Sequence, residues 1–324
     1  MRFVSAFTLL LFSAPVLAHH GVAGVGTSGL NGPGAPVESA ASTVLPEGKT
    51  LAYFKVDHAQ FKTYDWATPN EKYARFSMMG LGYGVNSWFS VYAFVPYHEK
   101  IQETGGMDSA GVADVSVMGQ VGFKYDQGLR LIPQNESLDD LEDWHFSVFF
   151  GSTLPTGNAN HRMADGSIDP GKSHGFGKPA YTLGLTATRT LTDKLTVSFE
   201  SSGLRFQEYT YEDGQRVQFG AENRFNTAFS YRAYTNGEAM FRLDPVLELQ
   251  YLKLGRDIEN GVGATGTGGS VIYTLLGARA YWGSTSFALG YKVPVSTSLN
   301  ESEQQQGAEG KEKYRLIFSA SRMF

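Results

Sequence analysis

The sequence predicts an all-β fold, a transmembrane antiparallel β-barrel of twelve strands that follows a Gly/Pro-rich N-terminal segment. Three observations predict it. Twelve segments alternate apolar and polar residues, the connections between them alternate between long and short, and the chain begins with a secretory signal. A period of two is typical of strands, because successive side chains point to opposite faces.

The N-terminus has the parts of a secretory signal peptide. Met1-Arg2-Phe3 is a short cationic start, an apolar stretch follows over residues 4–17, and small residues up to Ala18 suit cleavage. A membrane-anchoring helix is the alternative, but the stretch is shorter than the roughly 20 apolar residues that such a helix needs. We therefore divide the chain into a signal peptide at 1–18, a Gly/Pro-rich segment at 19–49 and a barrel at 50–324.

Composition narrows the function classes. The 324 residues include no cysteine, which excludes disulfides and thiolate metal sites. The formal net charge of −5 comes without a basic patch, which argues against nucleic acid as a partner. The composition gives no sign of a cofactor. These figures alone also fit a soluble all-β protein. The order of strands and connections is therefore needed to distinguish a soluble protein from a membrane barrel.

Each segment is long enough to cross a bilayer, since a tilted strand needs about 9–11 residues. A barrel turns its apolar face to lipid and its polar face to the lumen, whereas a soluble sandwich buries its apolar face. We expect the strands at residues 50–62, 71–84, 87–99, 112–126, 144–155, 178–190, 194–207, 215–232, 239–253, 270–282, 285–296 and 312–324.

The connections favour the barrel, because outer-membrane barrels have long outside loops and tight periplasmic turns. The stretch 126–143 breaks this rhythm, since it is long where a periplasmic turn is expected, and Asn135 to Leu141 within it can form a short capped helix. Long connections fall at 100–111, 156–177, 208–214, 254–269 and 297–311, and short ones at 84–86, 191–193, 233–238 and 283–284.

The final segment, Tyr314 to Phe324, alternates along most of its length and ends on an aromatic residue. This ending resembles the last strand of bacterial outer-membrane barrels, which the barrel assembly machinery reads. The resemblance implies a location in the cell outer membrane, contact with outer-membrane lipid, and an assembly signal at Phe318 and Phe324. Arg322 lies on the outward face, where its long side chain can reach lipid headgroups.

The segment at 19–49 is too rich in glycine and proline to be a strand. Two interpretations stay open, a flexible periplasmic tail or a plug that folds into the pore, since twelve strands enclose more space than their side chains fill. Cleavage after Ala18 would expose His19 beside His20, and an α-amine with two imidazoles can bind Cu(II) or Ni(II). An accident of the cleavage site is the simpler explanation, so we predict no metal site.

Charged residues within the strands are expected to face the lumen, because a Lys or Arg facing lipid at mid-depth costs about 2–4 kcal/mol. Two roles are open: pairing across the lumen to hold the barrel rigid, or selecting solutes. Cations outnumber anions among them, which gives at most a weak preference for anions or zwitterions. The lumen-lining candidates are Lys55, Asp57, Arg75, Asp114, Lys124, Glu200, Glu222, Arg224, Glu248, Arg279, Lys292 and Arg315.

His145 and Ser147 lie two apart on one face of a strand. The same spacing occurs in outer-membrane phospholipases and lipid A deacylases, where the histidine activates the serine. Here the pair is expected to face the lumen rather than a lipid substrate, and the apolar residues 148–150 follow where the phospholipases have polar ones. We therefore predict no catalytic residue.

A second cluster lies in the long connection at 156–177, where His161, Asp165, Asp169 and His174 come close together in sequence. Asp165-Gly166-Ser167 and Asp169-Pro170-Gly171 are typical of turns. The spacing of the cluster fits no known metal site, and we interpret it as loop structure.

Four short motifs resemble a family of outer-membrane proteins labelled after the meta-pathway of phenol degradation. They are Val95-Pro96-Tyr97, Gly111-Val112-Ala113-Asp114-Val115, Leu154-Pro155-Thr156-Gly157 and Val293-Pro294, and the resemblance spans most of residues 50–324. Ala113 stands where the family pattern has a second glycine. The resemblance implies a barrel and the passage of small organic solutes, including aromatic ones, and it supplies no site residues.

These observations predict a passive channel in the outer membrane for small solutes. Selection would come from lumen charge, constriction and outer loops. Two alternatives stay open: a lipid hydrolase that uses His145 and Ser147, and a closed structural or binding barrel without conductance. The sequence leaves the solute and the oligomeric state open.

Overall fold

The predicted barrel is confirmed. A computed structural model describes residues 34–63, 71–102, 108–134, 136, 141–300 and 312–324. Within these ranges, twelve long antiparallel strands each pair with their neighbours in sequence, and the last pairs with the first, so the sheet closes. The strands are β1 (Thr50–Phe61), β2 (Glu71–Asn86), β3 (Phe89–Gln102), β4 (Ser116–Tyr125), β5 (Trp144–Thr153), β6 (Ala180–Thr192), β7 (Leu195–Arg205), β8 (Glu222–Tyr231), β9 (Phe241–Leu254), β10 (Gly269–Trp282), β11 (Thr285–Leu299) and β12 (Glu312–Met323).

Shorter elements surround the barrel. One short strand extends the pairing of β3, one that of β4 and one that of β9, and a 3₁₀ turn at Pro170–Lys172 interrupts the connection between β5 and β6. The short strands beside the barrel are Ser109–Val112, Leu129–Leu131 and Tyr234–Asn236. In the part of the chain that the structure describes, no helix combines the length and the apolar character needed to cross a membrane.

The two ends of the barrel differ as the rhythm of connections predicts. We call the end that carries the start of β1 and Phe324 the turn end, and the opposite end the loop end. Strands meet at the turn end through short links such as 87–88, 193–194 and 283–284, while the long connections lie at the loop end. The link 126–143 is long at the turn end. Of its predicted helix, residues 135 and 137–140 lie outside the described residues.

The wall is apolar outside and largely polar inside. Leu81, Leu183 and Leu289 are 61%, 61% and 62% exposed, whereas Glu248 and Arg279 are fully buried in the interior. A soluble sandwich has the opposite arrangement, so the outer face of this barrel has the character of a lipid-facing surface.

Two strands differ from the sequence-based bounds because the chain breaks near the loop end. The segment expected at 215–232 joins the barrel only from Glu222, since Arg216–Gln218 pairs instead with Ile258–Glu259 in a small sheet beyond the rim. Gly220 makes the break possible, because a Cβ there would lie 2.1 Å from the Gly255 carbonyl oxygen. Likewise, the strand expected at 112–126 begins at Ser116, after a break that contains Asp114.

Candidate site: the luminal segment and the polar cavity above it

Residues 34–49, which we call the luminal segment, lie inside the barrel. Gly34 is at the turn end, where its N–H donates to Asp244 at 3.3 Å. The segment rises to an apex at Glu38, whose carboxylate binds Lys292 of β11 at 2.9 Å, and it then returns to the turn end. There the Gly48 N–H donates to the Gly84 carbonyl at 2.8 Å. Both ends of the luminal segment therefore lie at the turn end, and its apex lies at mid-height.

The carboxylate of Glu248 holds the rising limb. It accepts the N–H groups of three consecutive residues, Val37 at 2.6 Å, Glu38 at 2.8 Å and Ser39 at 2.9 Å, and also the Ser39 hydroxyl at 2.5 Å. Hydrogen bonds to an ionised group are shorter and stronger than those between neutral groups. Glu248 is fully buried, so this array is the main attachment of the apex region.

A guanidinium holds the same limb from the other side. Arg279 Nη2 donates to the Pro36 carbonyl at 2.7 Å and Nε donates to it at 3.2 Å, while Nη1 binds Ser286 at 3.1 Å. Because Arg279 is fully buried, its charge acts where screening by solvent is weak.

The returning limb is bound mostly through neutral groups of the wall. Its alternate apolar side chains pack on the interior face of β1 to β3, where Tyr53, Phe76, Met78, Tyr92 and Phe94 form an apolar cluster with Ala40 and Leu45. The polar contacts include Ala40 N to Glu200 (2.8 Å), Gln120 Nε2 to the Ala41 carbonyl (3.2 Å), Ser42 N to Thr188 (3.1 Å), Ser42 Oγ with Thr186 Oγ1 (2.8 Å) and Leu45 N to Ser90 Oγ (2.9 Å).

The connection 126–143 covers the foot of the luminal segment at the turn end. Ile132 is buried, and Gly122 leaves room for it, since a Cβ on Gly122 would lie 2.6 Å from Ile132 Cδ1 and 2.9 Å from Val44 Cγ1. Lys124 of β4 binds Glu136 of this connection at 2.6 Å. The long link at the turn end is therefore part of the packing around the luminal segment.

Above the apex, a polar cavity opens toward the loop end. Its volume is ≈ 40 Å³. Glu38 lies on its floor, and Glu200, Arg224, Asn226 and Gln250 line its sides. Arg224 is paired with Glu222 at 2.7 Å, whereas Glu200 accepts hydrogen bonds from Ser202 at 2.7 Å and from Asn226 at 3.1 Å.

Ten of the predicted lumen-lining residues lie on the interior face. Some pair with each other, as Asp57 does with Arg315 at 3.3 Å, which is the rigidifying role. Others hold the luminal segment, a role that the sequence did not suggest. The ten are Lys55, Asp57, Lys124, Glu200, Glu222, Arg224, Glu248, Arg279, Lys292 and Arg315.

The prediction for Arg75 is wrong. Arg75 alternates with the buried Phe76 and therefore lies on the outer face, near the loop end, where it pairs with Glu99 at 3.2 Å. The interior of β2 is apolar because it packs on the luminal segment, so charge did not identify the inner face. A long side chain near the rim can reach water from the outer face.

Asp114 lies just before β4 begins, where it is buried and lines a small cavity in the mouth of the barrel together with Phe76 and Thr153. Its carboxylate accepts the N–H groups of Gly157 at 2.7 Å and Phe176 at 2.8 Å. The Val115 N–H donates to Thr156 at 2.8 Å, so two of the motifs behind the family resemblance meet at the base of one loop.

The interior residues that the sequence analysis missed include Arg242, Asp244, Tyr281 and Glu312. Asp244 and Arg242 pair at 2.7 Å, and Tyr281 accepts the Ala35 N–H at 3.2 Å. Asp244 lies four residues before Glu248 on the same strand, so the same alternation could have placed it in the lumen. The contact of Tyr281 with the luminal segment could not be predicted from the local sequence pattern.

The geometry at His145 and Ser147 does not form a nucleophile and base. His145 Nε2 binds Glu136 at 3.1 Å and its Nδ1 binds the Asp143 carbonyl at 3.1 Å. Ser147 Oγ instead binds Gln120 at 2.9 Å and a threonine of β6 at 2.6 Å. Both nitrogens of the imidazole are occupied by other groups, and both residues are buried inside the barrel.

The turns in the 156–177 connection form as predicted. Asp165 accepts the Ser167 N–H at 3.0 Å, and Asp169 accepts the Gly171 N–H at 2.8 Å. In the ranges that the structure describes, no three His, Asp or Glu side chains converge so as to hold a metal ion. His19 and His20 lie outside the described residues.

Comparison with known proteins shows the fold. No family model matches the sequence, and no curated protein is detectably similar to it. The COG4313 outer membrane channel from Pseudomonas putida F1 superposes with a TM-score of 0.66 at 14% identity, covering 89% of this chain and 100% of that one. The chain has the fold of that channel.

Other outer-membrane barrels superpose less well. The β domain of the Bordetella autotransporter BrkA gives a TM-score of 0.44 at 11% identity, with 86% of this chain and 99% of that chain covered. Salmonella typhi OmpF, solved in complex with daunomycin, gives 0.34 at 10% identity, with 85% and 97% covered. Scores of this size carry no argument about function.

Proposed function

We propose that this protein is a passive channel for small solutes in the bacterial outer membrane, and that the luminal segment is its plug. The loop end then faces the cell exterior and the turn end faces the periplasm, which agrees with long outer loops and tight periplasmic turns. The apolar outer face would contact outer-membrane lipid. The fold shared with a known outer membrane channel supports this proposal.

The observation that carries the proposal is that one segment of the chain occupies the lumen and is held there by wall charges. Glu248 and Arg279 bind the rising limb of the luminal segment, and the polar cavity above Glu38 leads down to it. The same barrel without a segment in its lumen would leave a wider polar pathway for solutes. Movement of the luminal segment would therefore set the pore size.

The charges of the interior favour neither sign of solute strongly. Arg75 leaves the set of interior cations and Arg242 joins it, while Glu38, Asp244 and Glu312 join the anions. The weak preference for anions that the sequence suggested therefore loses its basis. The hydrogen-bonding lining of the cavity supports passage of small solutes that carry polar groups, and the family resemblance adds small organic compounds to this class.

Reconstitution tests the channel and the plug together. The full mature chain and a variant lacking residues 19–48 would be compared in planar bilayers and in liposome swelling with uncharged, cationic and anionic solutes. We expect a small conductance from the full chain and a much larger one from the variant. Equal conductance would exclude the plug, and no conductance from either would favour the closed barrel. Heat-modifiable migration on a gel verifies that both samples are folded barrels.

The lipid-hydrolase alternative finds no support in the geometry. A serine nucleophile needs a base within hydrogen-bonding reach, and the ring nitrogens of His145 bind Glu136 and a backbone carbonyl instead. Ser147 faces the interior rather than the lipid-facing surface. We therefore favour a non-enzymatic role.

A further inference from the structure

The connection between β5 and β6 folds into the mouth of the barrel at the loop end. Lys172 and Ser173 are each 2% exposed. The next residue, His174, lines a small cavity together with Phe76 and Thr153, whose side chains lie on the interior faces of β2 and β5. This connection therefore covers part of the interior and does not extend away from the barrel.

The base of this loop is fixed by one carboxylate. Asp114 accepts the N–H groups of Gly157 and Phe176, which lie near the two ends of the loop. Gly175 allows the close approach, because a Cβ there would lie 2.5 Å from Asp114 Oδ1. The base of the loop is therefore attached through backbone groups, independently of the imidazole of His174.

Residues 172–174, which we call the tip of the loop, are held through the side chain of His174. Ser109 Oγ donates to the Lys172 carbonyl at 2.5 Å, so its only proton is used there, and His174 Nε2 donates to Ser109 Oγ at 2.8 Å. The remaining ring nitrogen, Nδ1, faces Gly111, since a Cβ on Gly111 would lie 2.3 Å from it. Nε2 therefore carries a proton, and a second proton on Nδ1 would point at Gly111, where the described residues provide no hydrogen-bond acceptor for it.

A second imidazole lies directly against the first. The ring centroids of His161 and His174 are 4.4 Å apart. Two protonated rings at this distance repel each other, because burial weakens solvent screening. Closure of the loop in this form therefore depends on at least one of the rings being neutral.

The groups around the two rings carry charges of both signs, and among them Lys100 lowers the pKa of His174. On the barrel side, β3 contributes Lys100, which donates to the Gly171 carbonyl, and His98, which borders the same cavity. The nearby carboxylates, Asp114 and Asp169, are occupied by backbone N–H groups. The loop itself also carries Lys172, and Arg162 is paired with Glu212 of the neighbouring loop at 2.9 Å.

We propose that this loop is an acid-sensitive latch over the outer mouth, closed while His174, packed against His161, is neutral and released when His174 becomes protonated. The ligand that releases the loop is the proton. The latch concerns the mouth of the proposed channel, but loop opening can be measured without any conductance, so the two proposals can fail separately.

The direction of the pH dependence follows from the loop residues. Burial, then His161, then Lys100 lower the pKa of His174 below its ordinary value of 6.5. A base with a lowered pKa stabilises the closed form above its ordinary pKa, and this stabilisation is lost as the pH falls below about 6.5. Burial raises the pKa of Asp114 and of Asp169, so their protonation at still lower pH favours closure. The latch should therefore open in the range just below pH 6.5.

The absence of cysteine in the sequence allows a clean probe. Ser173→Cys places a thiol at the buried tip, and Ser167→Cys places one at an exposed position of the same loop. The rate of maleimide labelling at the first position, divided by the rate at the second, cancels the intrinsic pH dependence of the thiol. It would be measured on the folded full chain in liposomes between pH 7.5 and 5.5.

We expect the labelling ratio to rise several-fold on acidification and to stay flat when His161→Gln and His174→Gln are combined. Glutamine at 174 can still donate to Ser109 but does not titrate. His58→Gln, on the outer face of β1, is the control and should keep the acid response. A flat ratio in the otherwise unchanged chain would overturn the latch, and so would an acid response that survives in the double variant.

A second variant tests the geometry at neutral pH. Gly111→Ala would force His174 from its place against Gly111. We expect a high labelling ratio at every pH, with normal heat-modifiable migration. A low ratio at pH 7.5 in this variant would contradict the placement of His174 as the closing contact.

Discussion

Arg279 and Glu248 bind opposite sides of the same peptide group. Arg279 donates to the carbonyl of Pro36 at 2.7 Å, and Glu248 accepts the N–H of Val37, the other half of that peptide, at 2.6 Å. Because the two polar groups of a peptide point in opposite directions, this pair fixes both the position and the orientation of the rising limb. The luminal segment is therefore attached at a defined point, directly before its apex at Glu38.

Glu248→Gln should free the luminal segment. Glutamine keeps the shape but loses the charge, and a hydrogen bond to a charged group contributes about 1 kcal/mol more than a neutral one. With several N–H groups affected, we expect the open fraction of the channel to increase roughly tenfold, which corresponds to about 1.4 kcal/mol. Single-channel recording measures this fraction. Glu238→Gln, at an exposed position of the turn end, is the matched control.

The shared peptide also predicts coupling between the two side chains. Residues that act on one group show non-additive effects. Arg279→Gln combined with Glu248→Gln should therefore change the open fraction by less than the product of the single effects. Strict additivity would mean that the two residues hold the luminal segment independently.

Gly84→Ala should displace the foot of the luminal segment. A Cβ at Gly84 would lie 2.1 Å from the Pro46 carbonyl oxygen and 2.7 Å from that of Leu45, and both are backbone atoms. Overpacking of this kind costs about 1–3 kcal/mol. We expect larger conductance with an unchanged heat-modifiable barrel. Gly237→Ala, where no atom lies within 4 Å of the added Cβ, should behave as the parent chain does.

The barrel could be predicted because its pattern is local. Each strand shows alternation with a period of two in its own sequence. This alternation correctly predicted that residues such as Lys292 and Arg315 lie on the interior face. The same rule failed at Arg75, because the interior of β2 is apolar wherever it packs on the luminal segment. Local alternation cannot identify the inner face of a strand that is apolar on both sides.

The luminal segment could not be placed from the sequence because its contacts are distant along the chain. Val37 and Glu248 are 211 residues apart, and Ala40 and Glu200 are 160 apart. The Gly/Pro-rich composition excluded a strand but left a tail and a plug as equal alternatives. The latch residues were missed for a related reason, since His161 and His174 gain meaning only where Ser109 and Gly111 meet them.

Ser147→Ala should leave lipid turnover unchanged. Because His145 is bound to Glu136 rather than to Ser147, we expect the parent chain to release no more fatty acid from phospholipid or lipid A vesicles than empty vesicles do. Product analysis by mass spectrometry is the measurement. Activity that is present in the parent chain and lost in Ser147→Ala would reinstate the hydrolase.

Phe324→Ala should weaken recognition by the assembly machinery but leave the stability of the folded barrel unchanged. Phe324 and Thr50 exchange two backbone hydrogen bonds, of 2.8 and 3.3 Å, that close the seam between β12 and β1. Since these bonds do not involve the side chain, the barrel should refold in detergent with its heat-modifiable migration intact. The ring is 60% exposed on the outer face, where assembly factors could reach it.

In cells, we therefore expect Phe324→Ala to lower the amount of folded barrel in the outer membrane several-fold. Phe287→Ala is the matched control, because Phe287 is 42% exposed on the same outer surface but lies away from the terminus. Quantifying folded and unfolded bands from membrane fractions gives the comparison. If both variants lose folded barrel equally, or if Phe324→Ala also fails to refold in detergent, the terminal ring acts through packing and not as an assembly signal.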